Sequence, residues 1–457
     1  MTNKKKIKYV IILLIVIALG IWIASRWNVW FGNPEKSAYV VSKTPTRVLL
    51  TMGNSGKNSR AVSWTCDTVL TEAYLDLVKV GAADTSHIKA QGQICKSRSG
   101  VSAIYNAFMD FLTPNSNYRY RVRNNSVASD WFQFATHRDS ATSSCSFIYF
   151  GDVQDGDSNS VTKSLFRDIF TKNNDIDFAL FGGDFIERPM DKYWEMGISS
   201  LDTVATSLPI LAIPGNHEYL KGVTRKLDRR YDYVFPYYLD SKLRKNHVFT
   251  FPFGNVRFYF LDSNRDFWNY YAQRKWLKRE LDKSSATWNI VVLHHPIYSL
   301  KGSVNGLLVR AAFESVINKG DVDLVLQAHE HGYGRRATYD EKGNLTTPVY
   351  TVSYFSEKGY ALTFGGDYDR WGSYYRYYQK IEANADTLSL RTYTSEGILY
   401  DDIQLVKDGE TTKVLDNAKN IPMKVDLPET FIKQKGESKY QKAKAIIDEW
   451  KNENGVK

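Results

Sequence analysis

Cysteine is scarce in this chain of 457 residues: Cys66, Cys95 and Cys145 are the only three. An odd number excludes a framework in which every thiol pairs within the chain. Cys66 and Cys95 lie in one segment and leave a single bridge open, whereas Cys145 begins an apolar run and reads as a buried thiol. Zinc-finger spacing and RNP-like stretches are missing, and the middle of the chain has no long basic run, which removes the usual grounds for binding nucleic acid. A disorder signature is missing too, since 43% of residues are hydrophobic and 14% aromatic. Histidine is sparse, with eight in all, yet five of them fall in three short loops.

Those loops belong to a set of five, each following an apolar, β-like run. Asp152 lies in FIYFGDVQDG, Asp184 closes ALFGGD, and Asn216 with His217 lies in LAIPGNHEY. His294 lies in NIVVLHHPIYS, and His329 with His331 in LVLQAHEHGYGR. The tips of parallel strands are where α/β folds keep their sites. Singly, an Asp after a strand reads as a helix cap and a lone His as a core residue. Five metal-capable loops in succession read otherwise.

The ordered set resembles the calcineurin-like metallophosphoesterase superfamily, whose blocks run Asp-x-His, Gly-Asp, Gly-Asn-His, His and Gly-His-x-His. The flanking text FTFPFGNVRFYFLDSN, QRKWLKREL and HGYGRR is most similar to the purple acid phosphatase branch. The resemblance implies an α/β fold of two sheets packed face to face between helices, preceded by an all-β, fibronectin III-like sandwich. It also implies two metal ions, with iron, zinc or manganese suiting mixed oxygen and imidazole donors. Asp152, Asp184 and His331 would hold the first ion, and Asp184, Asn216, His294 and His329 the second, with Asp184 as the bridge. His217 resembles the histidine that binds phosphate and protonates the leaving group. Metal-activated hydroxide would then attack phosphorus, with phosphomonoesters as substrates. A phosphodiesterase or nucleotide hydrolase on the same ligands, or a non-catalytic binding module tethered to a membrane, are the alternatives.

Two positions depart from the family pattern. Glu187 stands where purple acid phosphatases carry the iron-ligating tyrosine, and Gln154 replaces a ligating histidine of the wider superfamily. Either is expected to assist the metals directly or through water, and His295 to support the ligands or the fold. Specificity is expected in the loops 188–193, 221–246 and 364–378.

The remaining chain divides around this region. Residues 1–28 place Lys4, Lys5, Lys6 and Lys8 before the run YVIILLIVIALGIWIA, giving a basic flank and an apolar core, with Trp27 and Trp30 as interfacial anchors. An uncleaved membrane anchor through residues 7–24 is favoured over a removed signal peptide. The bulk of the protein would then lie beyond the cytoplasm, at the periplasm or cell surface, or be secreted after cleavage. Residues 42–138 hold short alternating runs separated by turn residues, the pattern of a β-sandwich, with His87 and His137 as surface or packing residues. Residues 144–406 switch to strand–helix–strand grammar and form the catalytic domain. Residues 407–457 are lysine-rich and end in a helix with Tyr440, Ala443, Ile447 and Trp450 near one face. Net charge is +10, which favours phosphorylated anions.

Overall fold

The computed structural model describes residues 3–33, 38–53, 56–137, 144–154, 160–222, 224–237, 243, 247–264, 267–302, 304–365, 368–409, 411–428 and 430–456. Parts of the loops 221–246 and 364–378 lie outside the described residues. An N-terminal helix runs Asn3–Phe31, and its segment Ile7–Phe31 contains an 18-residue window of mean hydropathy 2.7 with none of its residues buried. It extends past Ala24, because Arg26 and Asn28 dilute the apolar run without breaking helical backbone. At 1.5 Å per residue such a helix exceeds a hydrocarbon core of about 30 Å.

A β-sandwich follows. One sheet orders the strands Thr46–Gly53, Gly56–Thr65, Gly100–Met109 and Gln91–Ser97. The other is built on Ser86–Lys89, Ala73–Lys79 and Asn117–Asn124. Alternation directs Tyr118, Tyr120 and Val122 inward, where the sandwich core also takes Leu50, Val62 and Trp64, the last stacked on Tyr105 at 5.6 Å. Cys66 and Cys95 are not bridged: both are buried free thiols. The strand Gly100–Met109 lies between their strands, and two strand spacings of about 4.8 Å exceed the reach of a disulfide. Cys145 is likewise buried and free. His87 bonds Asp76 at 2.7 Å on the surface, and His137 packs on Phe253 at 5.0 Å.

Two seven-stranded sheets form the next layer pair. The first orders Ile210–Ala212, Phe178–Phe181, Cys145–Phe150, Tyr377–Ala383, Thr387–Thr394, Leu399–Asp408 and Thr411–Asp416. The sheet thus runs one strand beyond residue 406. In the second, Val256–Leu261, Trp288–Leu293, Leu324–Gln327 and Leu345–Val352 are parallel, with antiparallel strands at the edges. The strands between the edges are apolar on both faces, as doubly covered strands must be. Phe147 meets Phe258 at 5.3 Å and Phe178 meets Phe253 at 5.2 Å, so aromatic rings fill the space between the sheets.

The sandwich is welded to this body through Asp191. Its carboxylate accepts from Ser97 at 2.9 Å and from Ser99, and pairs with Arg230 at 2.7 Å. Asn106 and Ser63 donate to the carbonyls of Tyr233 and Val234 nearby. At the other end, the helix Glu437–Asn454 buries Ala443 and Ile447 against the second sheet's layer, and Trp450 stacks on Phe364 at 4.4 Å. Tyr368, Trp371, Tyr377 and Tyr378 are packed into cores, so the tyrosine-rich segment is chiefly structural.

Candidate metal centre

Each predicted ligand stands where a parallel strand ends. Asp152 follows Cys145–Phe150, Asp184 follows Phe178–Phe181, and Asn216 and His217 follow Ile210–Ala212. From the second sheet, His294 follows Trp288–Leu293, and His329 and His331 follow Leu324–Gln327. The chain must leave each strand abruptly, and φ turns positive at Asp152 (38°), Asp184 (52°), His329 (73°) and His331 (43°). Such left-handed backbone in non-glycine residues concentrates at functional sites. Glycines make the close approach possible: a Cβ on Gly215 would lie 2.2 Å from Asp184 N and Oδ1, and one on Gly183 2.6 Å from His294 Nδ1.

Three of these side chains converge tightly. One ligand atom each of Asp184, His294 and His329 lies within 4.8 Å of the others. His294 Nδ1 donates to the carbonyl of Gly182 at 2.9 Å, which turns Nε2 toward the cluster. There it meets Asn216 Oδ1 at 3.3 Å and Asp184 Oδ2 at 3.4 Å. Beside this group, His331 Nδ1 donates to the carbonyl of Lys358 at 2.6 Å, so its Nε2 is also an acceptor. Asp152 Oδ1 lies 3.8 Å from that nitrogen, and is buried without a hydrogen-bond donor among the described residues. Oxygens and imidazole nitrogens buried this close together need a proton or a metal cation between them. The donor set therefore fits two adjoining metal ions, one beside Asp152 and His331 and one among Asn216, His294 and His329, with Asp184 next to both.

The charges of the site are tightly linked. Burial alone would depress His294, but Asp184 outweighs it and the imidazole is pushed up to about 9. Burial would raise Asp184, yet His294 and His217 hold it well below the usual carboxylate range. Asp152 is pushed well above that range by burial. Burial holds His329 and His331 neutral, the latter down at about 3, as ligand imidazoles must be.

The other predicted residues take distinct places. His217 is partly exposed; Nδ1 faces the carbonyl of Glu187, its backbone N–H donates to Asp184 Oδ1 at 2.7 Å, and Nε2 lies 3.9 Å from Asp184 Oδ2. Gln154 donates its amide to His331 Nε2 at 2.8 Å, and its Oε1 is buried without a donor, so it borders the Asp152 side. Glu187 is ion-paired with Lys358. His295 packs at a tilt against His329 at 4.1 Å and bonds Ser263 at 2.9 Å, a support for that ring.

Four contributors escaped the sequence reading. Glu218 is fully buried and accepts the backbone N–H groups of Asp184, Gly215 and Ile186 at 2.9, 2.7 and 3.1 Å. Glu330 does the same for Leu300 and Lys301 across the fifth loop. Tyr360 lies against His331 at 4.5 Å, with the Lys301 ammonium 4.2 Å from the centre of its ring. Glu218 and Glu330 adjoin ligands in sequence, a signal that was present; Tyr360 and Lys301 had none.

Residues 145–333 match the family described as calcineurin-like phosphoesterase, and residues 45–136 the purple acid phosphatase N-terminal domain. Purple acid phosphatase 21 of Arabidopsis thaliana is 27% identical over 255 residues, 52% of this chain and 55% of that protein. Probable inactive purple acid phosphatase 1 of the same plant is 23% identical over 290 residues, 54% of this chain and 47% of that protein. The chain thus spans about half the length of these relatives. A purple acid phosphatase from yellow lupin (Lupinus luteus) seeds superposes with a TM-score of 0.65 at 19% identity, covering 81% of this chain and 75% of that one, a likeness of fold. With both matched segments in the order and geometry described above, the chain carries a calcineurin-like phosphoesterase domain preceded by a purple acid phosphatase N-terminal domain.

Proposed function

We propose that the protein is a membrane-anchored, extracytoplasmic phosphoesterase that hydrolyses phosphomonoesters at a two-metal centre. The observation that carries this reading is the convergence on His294 Nε2 of Asn216 Oδ1 at 3.3 Å and Asp184 Oδ2 at 3.4 Å, one imidazole nitrogen and two oxygens of the kind that ligate metals. Asp152, Asp184, His331 and the neighbouring Gln154 would hold one ion, and Asp184, Asn216, His294 and His329 the other. Bound ions would supply Lewis acidity and a water acidified toward neutral pH. His217 would deliver a proton to the leaving oxygen from Nε2, because the Glu187 carbonyl fixes the Nδ1 proton and leaves the other nitrogen toward the open side. Glu218 would keep Asp184 and Asn216 in register through the three N–H groups it gathers.

The anchor reading is supported by the exposed apolar helix and the lysines at its N-terminal end. A second reading, ligand binding without turnover, is favoured by Gln154 in place of a histidine and by a relative named as probably inactive. Metal-stripped protein resupplied with iron, zinc or manganese should recover hydrolysis of a chromogenic phosphomonoester above that of its diester counterpart, and Asp184→Asn should lose it. A diester preferred over the monoester would make the protein a phosphodiesterase. A folded, metal-replete protein that turns over neither would leave the binding module.

A further inference from the structure

Beside His217 opens a cavity of about 270 Å³ whose wall comes from three distant parts of the chain. Asn33 comes from just beyond the apolar helix, Arg98 from the β-sandwich, and Arg188, Lys221 and Arg225 from the loops after Asp184 and Asn216. The volume suits a phosphorylated headgroup rather than a large ligand. It is also cationic: those four basic side chains face a single lining carboxylate, Glu187, which Lys358 already engages. Burial, then Arg188 and Arg225, lower Lys221 from its ordinary value, the mark of like charges crowded together.

The helix end is built into this wall. Asn33 Nδ2 donates to the carbonyl of Lys221 at 2.9 Å, and Lys221 N–H donates back to Asn33 Oδ1 at 2.9 Å. Lys221 Nζ donates to the carbonyl of Val29 at 2.9 Å, and Arg98 Nη1 to that of Asn33 at 2.7 Å. Lys221 thus satisfies a carbonyl of the helix's last turn, where its dipole is negative, and Arg98 one just beyond the helix. Trp22, Trp27 and Trp30 gather in the final turns, with Trp22 and Trp30 at 5.0 Å, as rings do at a membrane–water boundary. Asn33 lies three residues beyond Trp30, or about 5 Å along a helical rise. The mouth of the cavity is therefore held at headgroup depth.

We infer that the site acts on phosphate monoesters of membrane-embedded amphiphiles, drawing the headgroup into this cavity while the apolar chain remains in the bilayer beside the helix. The inference rests on the phosphoesterase reading above. In the reaction water oxygen bonds to phosphorus and the bond from phosphorus to the lipid alcohol oxygen breaks. That oxygen takes the proton held at His217, and a proton from the attacking water replaces it. Inorganic phosphate leaves, and a neutral alcohol stays in the membrane.

The full-length, metal-replete protein would be reconstituted in phosphatidylcholine vesicles carrying phosphatidate, and phosphate release compared with that from soluble glycerol phosphate and from a chromogenic phosphomonoester. Co-localisation in the bilayer should raise kcat/KM for phosphatidate at least about tenfold over glycerol phosphate. Replacing Arg98 and Arg225 together by Gln should lower turnover of phosphatidate more than that of the chromogenic ester. Equal kcat/KM for lipid and soluble headgroup, or hydrolysis of the soluble esters alone, would overturn the inference and leave the phosphoesterase reading standing. No turnover of any ester would overturn both.

Discussion

Glu218 makes three backbone hydrogen bonds from a position with no solvent exposure, and its two oxygens tie the second and third ligand loops together. Burial and the charge of Asp184 push it up to about 7. Glu218→Gln replaces one acceptor with an NH2 group facing an N–H, so the loops should loosen without emptying the core. Metal affinity, measured by competition with a chelator, is expected to fall about 10- to 100-fold, with little change in far-UV circular dichroism. Colour is a second residue-scale consequence. Glu187 occupies the place of the iron-ligating tyrosine, and the nearest phenol to the His331 side, Tyr360, is pushed up to about 12 by burial and by Asp152 and Asp184. The iron-loaded protein should show no visible phenolate band; a purple preparation would refute that assignment. The strand-end placement of the six proposed ligands and of His217 was legible because each follows an apolar run. Lys358 and Tyr360 were not, since they meet the site only through tertiary contacts with Glu187 and His331.

Among the elements, the strand ends carry the chemistry, and their glycines are the most exposed to test. In Gly215→Ala the new methyl would collide with the Asp184 amide and carboxylate. Bound metal, counted by elemental analysis, and kcat should both fall, the latter at least about tenfold, because misplacement of a ligand by about 1 Å costs more rate than stability. The strands themselves were readable from apolar runs such as FALF and WNIVVL, and so was the docked helix with Ala443 and Ile447 inward. Two boundaries were not. Thr411–Asp416 is an edge strand with half-exposed, lysine-bearing text that resembles a linker, and only pairing with Leu399–Asp408 makes it β. The N-terminal helix persists through Arg26 and Asn28 because helical backbone tolerates polar residues that a hydropathy pattern counts as an end.

For the whole molecule, the junction between the sandwich and the catalytic layers hangs on Asp191. Burial would raise its pKa, but Arg230 and the hydroxyls of Ser99 and Ser97 outweigh burial and hold it down at about 2. A depressed carboxylate contributes stability at pH values above its unfolded range and loses that contribution as pH falls toward about 2. Asp191→Asn should therefore be less stable than the parent near neutral pH by on the order of 1 kcal/mol, with the difference shrinking between about pH 4 and 2. Urea unfolding at several pH values measures it, and a difference independent of pH would exclude the ionic latch.

The first seven-stranded sheet also has a history written into its strand order. Cys145–Phe150 is flanked by Phe178–Phe181 on one side and by Tyr377–Ala383 on the other, so a strand made early waits for one made late. During synthesis the growing chain can present Asp152 and Asp184 long before the sheet behind them is closed. The centre is thus among the last features to mature, and a chain ending before Tyr377 would carry all of its metal-capable residues and still lack the scaffold that aims them.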